Sequence, residues 1–438
     1  MRLKLTSEEM GCVCIVLYFG TQGYVPILMP AIGGALSTAT QMNAQHGINH
    51  VILLLLWSGI FLTMLRARFF LRLDLLTARV ALAYCLFAAC STLWSSVPAS
   101  SISAGASLTI STIFAIFLVG RFPGERLLSL FSWVIMVHAV LSALLAVGVP
   151  HYGIDHFSHA GAWQGICAQK NSLGLVMVFG TGLGLSLQPT TFIQRAWKSV
   201  FLLLCIGEVV LSQSREAWAV CALILFTHFA LELYSRLVLP SRGPALIVLS
   251  LGALVGCAAI AAFSASILKL LGRDPTLTGR TVLWQAVLQQ CRNHPVGGYG
   301  LGGFWATGDS FPVYSMTHWV PTSAHNGFLE CLLELGSVGL ILLLALVFLS
   351  ARNATTIVTS QPKFDTSRAW IYSLLSITAL NMVGDVTGIT NSISWLLLVC
   401  AACRLEENSH NAGLALNRFA APARTAMMGM RVLPNARV

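Results

Sequence analysis

Apolar residues in this chain come in repeated blocks, each bounded by short polar or basic segments. Blocks at 11–29, 48–65, 75–94, 102–120, 127–149, 165–187, 199–212, 216–234, 244–263, 327–349, 369–386 and 389–404 approach the ~20 residues that a helix needs to cross a bilayer core. The block at 199–212 is short, and the one at 11–29 is interrupted by Gly and Pro. The pattern predicts an all-α polytopic membrane protein with about 12 transmembrane helices. Nine of them fall within 1–263 and three within 327–404. Between these groups, residues 264–326 form one large polar, glycine-rich excursion. Residues 405–438 show no period and are rich in Ala, Arg and Asn, which predicts a disordered cytoplasmic tail. No internal repeat stands out, so the inverted-repeat signature of many transporters is missing.

Composition narrows the class. The 438 residues are 56% hydrophobic and 10% charged, with a mean hydropathy of +0.76. A soluble chain would carry about a quarter charged residues. The twelve cysteines are scattered, many of them inside apolar runs, with no CxxC pair and partner histidines. Neither a zinc site nor a disulfide framework is indicated. The N-terminus MRLKLTSEEM is too polar for a removed signal peptide and lacks a small-residue cleavage site after it.

A net charge of +10 raises nucleic acid as a partner, and its distribution argues against one. With the N-terminus inside, 20 of the 26 Lys and Arg residues fall on inner segments. Those segments hold Arg2 and Lys4; Arg66, Arg68, Arg72 and Arg79; Arg121 and Arg126; Arg195 and Lys198; Arg236 and Arg242; Arg352, Lys363 and Arg368; and Arg404, Arg418, Arg424, Arg431 and Arg437. This is the positive-inside bias of a membrane protein. The remaining six, Lys170, Arg215, Lys269, Arg273, Arg280 and Arg292, lie on the outer side. The same alternation places residues 264–326 outside as the longest loop, with a second outer loop at 150–171 and a short third at 212–218.

The outer basic residues are the informative ones. Arg215 stands in the turn SQSREAW beside Glu216. It either snorkels to the interface, pairs with Glu208, or binds an anion there. Arg280 follows Thr278, a plausible N-cap for a helix over about 280–293 that His294-Pro295 would end. A guanidinium at a helix N-terminus suits a diphosphate, because its fork matches phosphate oxygens and the helix dipole favours an anion. His325 and Asn326 sit where the tenth span begins. Asn326, Glu330 and Glu334 recur at i, i+4, i+8 and so share a face. Carboxylates within a span cost at least a few kcal/mol unless paired or hydrated, so these are expected to face a polar cavity. The run GGYGLGGF imitates GxGxxG but lacks the strand–turn–helix context, which excludes a Rossmann or P-loop reading.

These motifs resemble the O-antigen ligase and polymerase superfamily, and within it the exopolysaccharide polymerases of Gram-negative bacteria. The resemblance is carried by TLTGRTVLWQAV (276–287), HPVGGYGLGGFW (294–305) and SAHNGFLECLLELG (323–336). LWSSVPASS (93–101), AQKNSLG (168–174) and SQSREAW (212–218) follow the family's order upstream. It covers about residues 75–350. It implies the multi-span, GT-C-like fold of lipid-linked-sugar transferases and a multi-pass protein of the bacterial inner membrane with a periplasmic active site. The implied reaction is a metal-independent, inverting glycosyl transfer without cofactor, from a glycan on undecaprenyl diphosphate to a glycan or lipid A–core acceptor. Polymerisation of repeat units into exopolysaccharide or O-antigen is the first expectation, ligation to lipid A–core the alternative, and a lipid-glycan transporter the second. The resemblance assigns Arg215, Arg280 and His325 to catalysis, and Lys170, Asn326, Glu330 and Tyr299 to substrate contact. Polysaccharide export and chain-length proteins are the expected protein partners, and SREAW departs from relatives that carry a plainer apolar stretch there.

Overall fold

The computed structural model describes residues 5–20, 54–65 apart from 56, 71–237 apart from 157, 158 and 168, 280–361 apart from 306, 365–383 and 392–429. Among the described residues the fold is all-helical, with one isolated bridge between Ile154 and Trp163. The helices are α1 (Ser7–Gly20), α2 (Leu76–Cys90), α3 (Pro98–Arg121), α4 (Gly124–Gly148), α5 (Lys170–Ser186) and α6 (Phe192–Leu211). They continue with α7 (Arg215–Ser235), α8 (Arg280–Cys291), α9 (Phe311–Thr317), α10 (Gly327–Ser360), α11 (Asp365–Val383) and α12 (Ile393–Gly429). Among the described residues, five stretches are long and apolar enough to cross a membrane: Leu76–Leu93, α3, α4, α7 and α10. The predicted spans at 165–187, 199–212, 369–386 and 389–404 coincide with helices α5, α6, α11 and α12. The predicted span at 244–263, residues 264–279, and the parts of other predicted spans at 21–29, 48–53, 384–386 and 389–391 lie outside the described residues.

α12 is the centre of the bundle. It packs against α10, α11, α3 and α2. Ile393 and the run Trp395–Cys403 are buried, so this helix is apolar around its whole circumference, as a core helix must be. Beyond Cys403 the helix does not stop. It runs to Gly429, where the sequence predicts a disordered tail from residue 405. The physical reason lies in the polar residues of that stretch. Glu406 accepts the amides of Leu76 (2.9 Å) and Thr77 (2.8 Å) and the Thr77 hydroxyl (2.6 Å). A carboxylate thereby caps the N-terminus of α2, satisfying free amides and complementing the helix dipole. Arg404 donates to the carbonyls of Val119 (2.7 Å) and Phe122 at the end of α3 and pairs with Glu407.

These contacts belong to a band of ion pairs at one end of the bundle. Arg72 binds Glu407 (2.7 Å), Arg121 binds Glu8 (2.9 Å), Arg126 binds Glu9 (2.5 Å) and Arg368 binds Glu232 (2.8 Å). Arg126 holds the Glu9 carboxyl down at about 2.

At the opposite end, α10 is broken at Gly336, whose φ of 62° and ψ of −164° are open essentially to glycine alone. The break frees main-chain groups that the excursion takes up. Tyr299 N donates to Leu333 O (3.1 Å) and Gly300 N to Glu334 O (2.8 Å). Ser337 N donates to Pro295 O (2.9 Å) and Val338 N to Val296 O (3.3 Å). A Cβ on Gly336 would overlap the Val296 carbonyl. Gly336→Ala is therefore expected to lose folded protein or to lower the thermal midpoint in detergent sharply, since the backbone strain alone costs about 1–3 kcal/mol. Gly207→Ala, in open space on helical α6, is the control that should leave the midpoint unchanged or slightly raised.

Candidate functional site

The turn SQSREAW is held rigidly between α6 and α7. Gln213 takes a positive φ of 51°, reversing the chain. Ser212 Oγ accepts Ser214 N (3.3 Å), Ser214 Oγ caps Ala217 N (3.4 Å), and Trp218 Nε1 donates back to Val209 O (2.8 Å). This leaves Arg215 exposed at the start of α7, with Glu216 behind it, half-buried. Glu208 is buried in α6 on the other side of the turn, and among the described residues its carboxylate accepts no hydrogen bond.

Arg280 opens α8, as the TGR spacing predicts, and the helix ends at Cys291, before His294-Pro295. The predicted cap Thr278 lies outside the described residues. Across 64 residues of sequence, the Arg280 guanidinium donates to Glu216 Oε1 at 2.5 Å. The ion pair is mostly enclosed, with side-chain exposures of 23% and 17%. Lys170, the first residue of α5, donates to Gln213 O at 3.4 Å. Lys170, Arg215 and Arg280 thus meet around one turn. A narrow cleft lined by Asn171, Ser172, Ser214, Glu216 and Leu380 opens there.

The AHN motif is tied to the same helix. Trp284, one turn after Arg280, donates from Nε1 to Ala324 O at 2.9 Å. The next residue, His325, has a φ of 49° and stacks on Trp319, with ring centroids 5.9 Å apart. Asn326 caps α10, accepting Phe328 N and Leu329 N (both 3.1 Å) and donating to Met382 O (3.1 Å). One turn on, Glu330 accepts Trp305 Nε1 (2.6 Å) and Ala324 N (2.7 Å) on its two oxygens. Glu334 accepts Gly302 N at 2.9 Å. The shared face of Glu330 and Glu334 is as the i, i+4 spacing predicts. Its environment differs from the expected polar cavity: both carboxylates are buried and hold the Gly302 and Ala324 amides and the Trp305 indole instead.

Tyr299 is buried in a small separate core with Leu283, Ala286, Val287, Phe304 and Leu333. Its hydroxyl donates to Gln290 O (3.4 Å) and accepts from Asn293 (3.3 Å), and burial raises its pKa. Gln290 stands ten residues beyond Arg280, about 15 Å along the helix axis. A wider cleft of about 470 Å³ lies at that end, lined by Phe87, Trp94, Asn293 and His294, and holds none of the predicted site residues. Among the described residues no three His, Cys, Asp or Glu side chains are grouped to hold a metal.

Arg215, Arg280 and the AHN loop lie within one contiguous segment that known proteins share. Residues 200–344 match the O-antigen ligase family. The exopolysaccharide production protein ExoQ of Rhizobium meliloti is 27% identical over 277 residues, 60% of this chain and 61% of that protein. A Rickettsia conorii protein named as a polysaccharide ligase is 36% identical over 85 residues, 18% of this chain and 21% of that one. The chain therefore spans less than two thirds of the length of these relatives. Members of that family are enzymes, and this chain is a membrane protein with several apolar helices among the described residues. Sequence reading of the family motifs missed Trp284 and Gln213. The i+4 spacing of Trp284 from Arg280 was the available signal, whereas nothing in the sequence marks Gln213 as the lysine's acceptor.

Removing the Glu330 carboxylate strands two enclosed donors, each worth about 1–3 kcal/mol when left unpaired. Glu330→Ala is expected to lower the thermal midpoint and to red-shift tryptophan fluorescence through Trp305. Glu330→Gln, which keeps one acceptor, should fall between it and the parent protein. Equal midpoints for all three would show that the clamp carries no stability.

Proposed function

We propose that this protein is a periplasmic-face, inverting glycosyltransferase of the inner membrane that polymerises undecaprenyl-diphosphate-linked repeat units. The reading keeps twelve spans, with 1–263 and 327–404 in the membrane and 264–326 as the periplasmic catalytic loop. The observation that carries it is the Arg280–Glu216 contact, which seats the TGR arginine on the SQSREAW turn. Displacing a lipid diphosphate from an anomeric carbon builds negative charge on the leaving group. Arg215 and Arg280, with Lys170 beside them, supply fixed positive charge for it without calling on a metal or cofactor. The acceptor hydroxyl needs a proton acceptor within reach. His325 takes that role or orients the acceptor, held by the Trp284–Ala324 bond. Asn326 and Glu330 shape the loop that presents His325. Tyr299 contributes through the core beneath the loop, which supports substrate contact only indirectly.

Ligation to lipid A–core is the second reading, favoured by the 85-residue similarity to a protein named as a polysaccharide ligase. Both share donor chemistry and a glycan partner, and differ in acceptor. Purified protein in nanodiscs, given a lipid-linked oligosaccharide with and without lipid A–core, separates them. A product ladder from lipid-linked units alone is expected. A single shifted product that requires lipid A–core would replace polymerase by ligase. Arg280→Ala should lower turnover by about two orders of magnitude, as loss of a charge-stabilising donor does elsewhere. Full activity in the folded variant would remove the arginine from the mechanism.

The side of the membrane is testable separately. With exposed Cys14 and Cys90 replaced, Ser315→Cys in α9 should react with a membrane-impermeant maleimide in intact spheroplasts. Arg195→Cys at the start of α6 should react only after lysis. The reverse pattern would invert the topology and move the site to the cytoplasm.

A further inference from the structure

Glu216 sits where an anion would sit. It is the second residue of α7, a position where the helix dipole favours negative charge. Its carboxylate occupies the Arg280 guanidinium at 2.5 Å, and both groups are largely withdrawn from solvent. Lys170 feels Arg215 as a repelling charge and Glu216 as an attracting one, so all four groups share one electrostatic neighbourhood. Asp155, from the 150–166 loop, also acts on Lys170. Three cations therefore gather about Glu216, the carboxylate in direct contact with Arg280. A guanidinium presents its N–H donors in a fixed planar fork that a carboxylate and a phosphate fill in the same way. The two anions cannot both take the inner edge of that fork, and like charges brought that close repel by kcal/mol amounts.

We propose that Glu216 is the resident counter-ion of the donor site, displaced from Arg280 when a lipid diphosphate binds. The idea rests on the reading of the cation cluster as a diphosphate site and gives that site a specificity-determining residue. In the empty site Glu216 keeps Arg280 enclosed and oriented. After transfer its return to Arg280 competes with the polyprenyl diphosphate product and speeds its release. Glu216 thus weakens anion binding in exchange for turnover. A residue that merely held Arg280 in place would do the reverse, because its loss would weaken binding.

The opposite signs make the test direct. Inorganic pyrophosphate is titrated calorimetrically into the purified full-length protein in nanodiscs, for the parent, Glu216→Gln, Glu216→Asp, Arg280→Ala and the Glu216→Gln/Arg280→Ala pair. Glu216→Gln is expected to bind roughly tenfold tighter, the scale of one relieved like-charge contact. Glu216→Asp, which withdraws the carboxylate by one methylene, should tighten less. Adding Arg280→Ala should abolish the gain. In turnover, Glu216→Gln should lower both the donor KM and kcat, the latter through slower product release. Pyrophosphate binding that Arg280→Ala weakens but Glu216→Gln leaves equal or weaker would overturn the counter-ion role and leave the diphosphate site standing. If pyrophosphate binds none of the proteins, or binds all of them alike, the diphosphate site itself falls and the counter-ion role with it.

Discussion

Main-chain hydrogen bonding across the break at Gly336 is the constraint on which the outer half of this molecule rests. A helix in an apolar environment must satisfy every backbone group, and a break leaves several without their normal partners. Here residues 295–300 supply the missing donors and acceptors, so loop and spanning helix complete each other. Gly298 and Gly300, both at positive φ, fit against α10 and Ser95, where a Cβ would collide with Glu334 or with the Ser95 side chain. Trp94 Nε1 closes the arrangement on Gly297 O at 3.0 Å. The glycine pairs that resemble a phosphate cradle are thus the means by which a polar segment lies flat on a membrane helix.

Charge is divided between the two ends of the bundle. At one end, arginines of the basic segments are matched by Glu8, Glu9, Glu232 and Glu407, and the pairs cross-link α1 to α3 and α4, α7 to α11, and α12 to Arg72 just before α2. At the other end, Lys170 and Arg280 reach the SQSREAW turn that carries Arg215, and Glu216 of the same turn pairs with Arg280. The first set of pairs ties neighbouring helices together, whereas the second joins segments 64 residues apart in sequence at one turn.

Much of this was legible in the sequence. Apolar blocks marked the described spans, and Arg280 opens a helix where its spacing said it would. Glu330 and Glu334 share a face as their spacing requires. What was not legible depends on contacts between distant parts of the chain. No local rule brings residue 280 to residue 216. Tyr299, which the resemblance assigns to substrate contact, is enclosed by the small core around Leu283 and Phe304. The stretch from 405 reads as a tail because it lacks a period, yet Glu406 meets the amides that open α2 and Glu407 meets Arg72 and Arg404.

The Glu406 cap has a consequence for biosynthesis. Its acceptor oxygens and the amides they satisfy are separated by about 330 residues of chain. At ribosomal speeds of about 5–20 residues per second, α2 spends on the order of tens of seconds in the translocation machinery before its cap exists. During that interval its first amides depend on water or lipid headgroups. A helix made about 330 residues later is the one that seals α2, so membrane insertion can proceed in order while the packing around α2 waits for α12.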